Sequence, residues 1–300
     1  MISSTELNAL SEGTLETQVP LSAYTTFQTG GPAAFFVSPK TEEGLSKLLK
    51  RLKETETPFF ILGRGSNLLV SDAGYPGVVI SLRGHFSKVE TVGERIYAGS
   101  GAMLSEVGNA ALAASLGGLE FAWGIPGTVG GAVRMNAGAY GGEMKDVVES
   151  VRVMDQEGNI RTECADALQF AYRESLISRE SLLVLSVCFH LEPKEQTAIR
   201  GLMDEIRARR VAKQPLEYAS AGSVFKRPEG YFAGTLIEQC GLKGLKIGDA
   251  CVSEKHAGFI VNLKNATSLE IYQLITRVQE EVYLKTGVRL EREVLLLGEF

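Results

Sequence analysis

The chain has 300 residues, 44% hydrophobic and 22% charged, a balance that suits a soluble globular protein with two or three subdomains and a sizeable buried core. Its 31 basic and 36 acidic residues give a formal charge of −5 without a long basic block, so no nucleic-acid partner is expected. Four scattered cysteines (Cys164, Cys188, Cys240, Cys251) and three histidines leave little material for a zinc or iron–sulfur site; no metal is expected, and the thiols read as reduced and mostly buried.

Taken in chain order, Met1 to Pro20 is polar and acidic, without the basic start and apolar middle of a secretory signal. Phe35 to Val37 predicts a strand. Thr41 to Lys53 predicts a helix, with Thr41 as its cap, Glu42 and Glu43 in the first turn, and Leu45, Leu48, Leu49 and Leu52 along one face. Strands at Phe59 to Leu62 and Val78 to Ser81 complete a small α/β unit ending near His85. A second unit follows, with strands near Lys88 to Val92 and Arg95 to Ala98, a helix near Met103 to Ser115, a glycine-rich run, and strands near Val148 to Met154 and Leu182 to Phe189. The apolar stretch Leu182 to Leu191 is too short to span a bilayer and reads as a buried strand, so the expected location is cytoplasmic, with no membrane insertion. Glu195 to Arg210 predicts a helix whose basic end suits its dipole, and a boundary is placed there. The last segment holds a helix opened by Thr267-Ser268-Leu269-Glu270, a capping-box pattern; Ile271, Ile275, Val278 and Val282 mark its core face and Gly287 its stop.

The glycine-rich run carries the chemistry. From Gly124-Ile125-Pro126-Gly127-Thr128-Val129-Gly130-Gly131-Ala132 through Met135-Asn136-Ala137-Gly138-Ala139-Tyr140-Gly141-Gly142, glycines let backbone N–H groups curl around an anion, and a diphosphate is the natural guest. The run lacks the Lys-Ser/Thr ending of a P-loop, which rules out that ATPase motif. Two more glycine turns, Gly63-Arg64-Gly65-Ser66-Asn67 and Gly99-Ser100-Gly101, follow apolar segments. Neither is a dinucleotide fingerprint, because Leu68 and Leu104 stand where the third glycine belongs. A diphosphate held by another fold and glycines serving only tight turns are the two readings open at this point.

These motifs in this order resemble the UDP-N-acetylenolpyruvoylglucosamine reductase family, whose flavin domain is of the vanillyl-alcohol-oxidase (PCMH) type. Tyr24-Thr25-Thr26-Phe27-Gln28-Thr29-Gly30-Gly31-Pro32, Tyr172-Arg173-Glu174-Ser175, Gly222-Ser223-Val224-Phe225-Lys226 and Leu290-Glu291-Arg292-Glu293-Val294 extend the resemblance over nearly the whole chain. It implies an α+β architecture: a two-subdomain FAD-binding PCMH-type fold (1–85 and 86–197), a smaller α+β substrate-binding domain (198–291), and a C-terminal strand (292–300) returning to the flavin site. The resemblance assigns FAD contacts to Gly63, Arg64, Gly65, Ser66 and Asn67 in the first turn. In the run it assigns them to Gly124, Ile125, Pro126, Gly127 and Thr128, to Gly130, Gly131 and Ala132, and beyond these to Asn136 and Gly138. Asn67 stands where covalent flavoproteins of this type carry a flavin-linked histidine, which implies dissociable FAD.

By itself Arg173 reads as a solvated salt-bridge arginine. The resemblance makes it the group that stabilises negative charge appearing on the substrate carboxylate, a task for which a planar, permanently charged fork is suited. Glu293 shares that task in the family as a hydrogen-bond donor or through water; Glu291 is the alternative, and the Glu-Val pairing favours Glu293. Ser223 has no adjacent histidine and no G-x-S-x-G elbow, so it is not read as a nucleophile. Its default role is to cap backbone groups, and its family role is general acid. Lys226 is open between acting on that hydroxyl and being a plain surface charge, and Lys213, in Lys213-Gln214-Pro215, resembles the family's substrate-diphosphate lysine. The implied activity is reduction of UDP-N-acetylglucosamine enolpyruvate to UDP-N-acetylmuramate by NADPH through FAD, in peptidoglycan precursor synthesis. From Gly258 onward there is no room for the tyrosine-bearing insertion of the longer family form, so the chain resembles the shorter, second type. Two alternatives are a same-fold flavin oxidase of an alcohol or lactone and a non-catalytic UDP-sugar-binding protein; the joint presence of Arg173, Ser223 and Glu293 speaks against the latter.

Overall fold

The computed structural model describes residues 2–300; position 1, where the expected first subdomain begins, lies outside them. Two units make up the fold. The first takes the chain up to Thr17, Phe35–Arg64 and Gly77–Ala208; the second takes Gln18–Ala34, Gly65–Pro76 and Arg209–Phe300. The expected divisions at 85, 197 and 291 are linear, whereas these units interleave, because strands such as Pro32–Ser38 and Tyr75–Ser81 carry the chain from one to the other.

In the first unit the helix Glu42–Glu54 forms as its sequence dictates. Thr41 Oγ1 accepts from Gly44 N at 3.0 Å, and Arg51 and Lys53 sit at the negative end of the dipole. Its leucine stripe packs with Val37, Val78 and Ile80 of a sheet ordered Thr14–Pro20, Pro32–Ser38, Tyr75–Ser81, Phe59–Leu62. A five-stranded antiparallel sheet follows in the order Ile160–Cys164, Val148–Met154, Leu183–His190, Arg95–Gly99, Val89–Val92. Its central strand is apolar apart from the half-buried Ser186 and the exposed His190, because both faces are covered: Leu183 and Leu185 face the cluster of the leucine helix, while Val184, Val187 and Phe189 face a second cluster built on the helix Leu104–Ala113. A register shift between Arg152 and Val153 accounts for the change of parity along that strand. Phe189 is fully buried. Losing such a ring costs about 3–5 kcal/mol, against about 0.2–1 kcal/mol for an exposed pair such as Lys88–Glu90, so apolar burial holds this unit together.

The second unit packs the helix Ser268–Thr286 on a three-stranded antiparallel sheet, Lys246–Ile247, Ala250–Val252 and Ile260–Asn262. Ile271, Leu274, Ile275, Val278 and Val282 are its buried face. The capping box closes both ways, with Thr267 Oγ1 accepting from Glu270 N at 3.1 Å and Glu270 Oε2 from Thr267 N at 3.0 Å. Asp72 adds a cap from far along the chain, its carboxylate accepting from Ser268 N and Leu269 N at 2.9 Å each. Gly287 ends the helix at φ +73°.

Some elements depart from expectation. The helix Gln196–Lys213 runs three residues past the expected Arg210, because nothing opposes it before Pro215, and the boundary between units falls inside it. The helix Ser4–Ser11 and strand Thr14–Pro20 were not expected in the polar N-terminal stretch; the helix is too short to show a clear period and rests on the buried Leu7. Cys164 is exposed, while Cys188, Cys240 and Cys251 are buried. No described helix is long and apolar enough to cross a membrane.

Candidate active site

In the first unit the glycine-rich run lies along the Gly99–Gly101 turn. Val129 N donates to Ala102 O and Gly130 N to Ser100 O, both at 2.9 Å, and Leu104 N donates to Gly127 O at 3.0 Å. Ile125 N bonds Ala122 O at 2.9 Å, and Thr128 precedes the short helix Val129–Arg134 in extended conformation. Two glycines are small because the chain needs them so: a Cβ on Gly63 would come within 2.6 Å of Thr128 Oγ1, and one on Gly130 within 2.9 Å of Ser100 Cβ. The structure therefore gathers Gly63, the Gly99–Gly101 turn and the run. Beyond the run, Asn136 is buried with φ +44° and its amide is spent inside the unit: Nδ2 donates to Glu143 Oε2 at 2.9 Å and to Ala171 O at 3.0 Å, and Oδ1 accepts from Lys145 N at 3.0 Å. Ala171 and Glu174 close the turn that carries Arg173. Arg173 is half-buried, its Nη2 donating to Gly138 O at 3.4 Å and its guanidinium 5.1 Å from the Tyr172 ring centre.

In the second unit Gly65 has φ +67°, and any Cβ there would come within 2.1 Å of Tyr24 O, so only glycine fits. Ser66 and Asn67 are half-buried. Asn67 Nδ2 donates to Glu293 O at 3.1 Å, and Asn67 O accepts from Leu295 N at 3.1 Å, where the strand Leu295–Leu297 begins its parallel pairing with Leu68–Val70. Glu293 N in turn donates to Val224 O at 2.8 Å, so the Glu293 backbone is held on one side by the Asn67 side-chain amide and on the other by the Ser223 segment. Ser223 follows Gly222, whose φ of +75° makes the turn, and pairs with Phe259; Val224 N donates to Gly258 O at 2.9 Å. Lys226 and Glu291, each an open alternative in the sequence, are one ion pair with a backbone bond beneath it. Lys213 is exposed at the end of its helix.

The sequence reading missed the support behind Ser223. His256 Nδ1 accepts from Gly258 N at 3.1 Å, and Gly258 O holds Val224. Burial first, then the charges of Lys243 and Lys213, keep this imidazole below the ordinary histidine range, so it stays neutral with its lone pair toward Gly258. Only the closeness of His256 to Gly258 in sequence hinted at it.

The chain is similar to known proteins. An FAD binding domain family matches residues 33–163, and the family described as UDP-N-acetylenolpyruvoylglucosamine reductase, C-terminal domain, matches residues 214–297. The UDP-N-acetylenolpyruvoylglucosamine reductase of Clostridioides difficile (strain 630) is 50% identical over 293 residues, covering 98% of this chain and 96% of that one. That of Clostridium novyi (strain NT) is 46% identical over 304 residues, covering 100% and 99%. The chain belongs to the UDP-N-acetylenolpyruvoylglucosamine reductase family. The solved reductase of Thermus caldophilus, 40% identical, superposes with a TM-score of 0.84 over 95% of this chain and 100% of that one. A VAO-type flavoprotein from Myceliophthora thermophila C1, 14% identical with a TM-score of 0.50 over 64% of this chain and 48% of that one, shares the fold alone. This reductase-family chain is thus an FAD-dependent oxidoreductase of mixed α and β structure with a PCMH-type FAD domain.

The residues present fit FAD. Gly131 is exposed in the first turn of the helix Val129–Arg134, and a Cβ there would meet nothing nearer than Thr128 Oγ1 at 3.6 Å. The chain's own packing does not require glycine at this place, and a helical glycine costs about 1 kcal/mol relative to alanine, so the missing side chain leaves room for a guest from outside. Ser100 Oγ, buried beside Gly130, has no hydrogen-bond partner among the described residues. Gly131→Ala is expected to melt at or above the parent temperature as apoprotein yet to hold FAD more weakly, as read by thermal melting and by FAD titration. A lower melting point with unchanged FAD affinity would make Gly131 a packing residue.

Proposed function

We propose that this chain reduces UDP-N-acetylglucosamine enolpyruvate to UDP-N-acetylmuramate with NADPH as hydride donor, in the cytoplasm, and so serves peptidoglycan precursor synthesis and, through it, cell shape and division. The observation that carries this reading is the joint presence of Arg173, Ser223 and Glu293, with Ser223 and Glu293 fixed on backbone segments bonded to each other through Val224 O; binding a UDP-sugar requires none of the three. Residues 1–85 and 86–197 serve the flavin, 198–291 the substrate, and the final segment 292–300 brings Glu293 to the chemistry.

FAD, when bound, supplies a carrier that takes up a hydride and gives it to another carbon. The glycine-rich run would hold its diphosphate at the room left by Gly131, since the amides of Ile125, Gly127, Val129 and Gly130 are already bonded within the chain, and Asn67, which carries no imidazole, would leave it dissociable. Arg173 grips the substrate carboxylate and stabilises the charge that develops as the double bond is reduced. Ser223 holds a proton at its hydroxyl and donates it to the neighbouring carbon. Glu293, as a hydrogen-bond donor or through water, helps Arg173 stabilise the charge that develops on the substrate carboxylate. Lys213 attracts the substrate diphosphate, and Lys226 acts on Ser223 only by giving up its pairing with Glu291.

The test is an absorption spectrum followed by anaerobic additions. The purified protein should be yellow, should release its colour on acid or heat denaturation, should bleach with NADPH, and should regain colour with the enolpyruvyl sugar. Rapid recovery of colour in air without the sugar would make it an oxidase; failure to take up FAD would make it a binding protein; colour that stays with the denatured chain would overturn only the non-covalent assignment.

A further inference from the structure

Glu143 has none of the roles above, yet the contacts around Arg173 converge on it. It pairs with Gly138 across the short hairpin Gly138–Ala139 and Gly142–Glu143, and its side chain lies over that glycine, whose Cβ would come within 2.7 Å of Glu143 Cγ. Gly138 O is also the atom that the Arg173 guanidinium reaches. Glu143 Oε2 accepts from Asn136 Nδ2 at 2.9 Å and from Lys145 Nζ at 3.0 Å, and the same Asn136 Nδ2 holds Ala171 O at the base of the Arg173 turn. Burial pushes the Glu143 carboxyl up, but the bonds from Lys145 and Asn136, and then the charges of Lys145 and Arg173, outweigh it and leave it below the ordinary carboxylate range. Arg173 itself has φ +58°, a left-handed conformation that an arginine keeps only where its surroundings impose it.

We propose that Glu143 is a positioning residue for Arg173: through Asn136 it fixes the turn that carries the arginine, and through its own charge it orients the guanidinium before substrate arrives. Lys145, whose ammonium lies 3.0 Å from this carboxylate, keeps the anion from repelling an incoming carboxylate at full strength. The gain is preorganisation, since a guanidinium already aimed at the developing charge does not have to be ordered during the reaction. This inference rests on the reading of Arg173 as the group that grips the substrate carboxylate.

Glu143→Gln keeps the shape and can still accept from Asn136 but removes the charge; Glu143→Ala removes both. In the holoenzyme, stopped-flow traces of Glu143→Gln should show a roughly ten- to hundredfold slower reaction with the enolpyruvyl sugar. Reduction by NADPH should stay within about twofold of the parent, and calorimetry should show weaker binding of UDP-N-acetylmuramate. Glu143→Ala should show the larger loss of the two, and melting curves and flavin content identify either variant if it fails to fold. The deciding measurement is the double-mutant cycle: in an Arg173→Ala background, Glu143→Gln should add nothing further. A full additional loss in that background, or equal slowing of both half-reactions by Glu143→Gln, overturns the proposal alone. An Arg173→Ala enzyme that still turns over the sugar at the parent rate overturns the reading of Arg173, and the proposal with it.

Discussion

Ser223→Ala is expected to leave reduction of the bound flavin by NADPH near the parent rate and to slow its reoxidation by the enolpyruvyl sugar by about 10²–10⁴-fold, the usual contribution of a positioned general acid. A proton is needed only once hydride has reached the substrate, so only the second half-reaction should suffer. The change removes one oxygen from a residue whose place is fixed by backbone: Gly222 makes the turn at φ +75°, Ser223 pairs with Phe259, and Val224 is bonded on one side to Gly258 and on the other to Glu293. The fold should therefore survive it. Ser223→Cys keeps a transferable proton and should recover part of the loss. Stopped-flow measurement of each half decides the matter: equal slowing of both would mean a displaced flavin, and no slowing would return Ser223 to an ordinary turn residue.

Arg173→Ala should cost about 10²–10³-fold in the same half-reaction, the scale seen when one preorganised donor to a developing oxyanion is lost. Arg173→Lys should recover little, because an ammonium is a compact point charge that cannot grip both carboxylate oxygens at once. The backbone adds a separate expectation. At φ +58° a glycine is relaxed where an arginine is strained, so Arg173→Gly should melt at or above the parent temperature while being as slow as Arg173→Ala. A destabilised but active Arg173→Gly enzyme would show that this arginine serves the fold rather than the reaction.

The helices Glu42–Glu54 and Ser268–Thr286 and the strand Val148–Met154 were legible in the sequence, because caps, leucine stripes and apolar alternation act between residues a few positions apart. The glycine-rich turns were legible as turns for the same reason, since glycine clusters are a local signal. What was not legible depends on pairings distant in sequence. Asp72 caps a helix that begins at Ser268, and Glu293 donates to Val224 while its carbonyl accepts from Asn67. The open choice involving Lys226 and Glu291 became a single ion pair only when the segments after Gly222 and Leu290 came side by side. Asn136 read as a cofactor contact, yet its amide is consumed by Glu143, Ala171 and Lys145. Local pattern determined which elements and which reactive side chains this chain possesses. Tertiary structure alone decided which of those side chains are spent on one another, because a hydrogen bond or ion pair depends on distances that chain order does not determine.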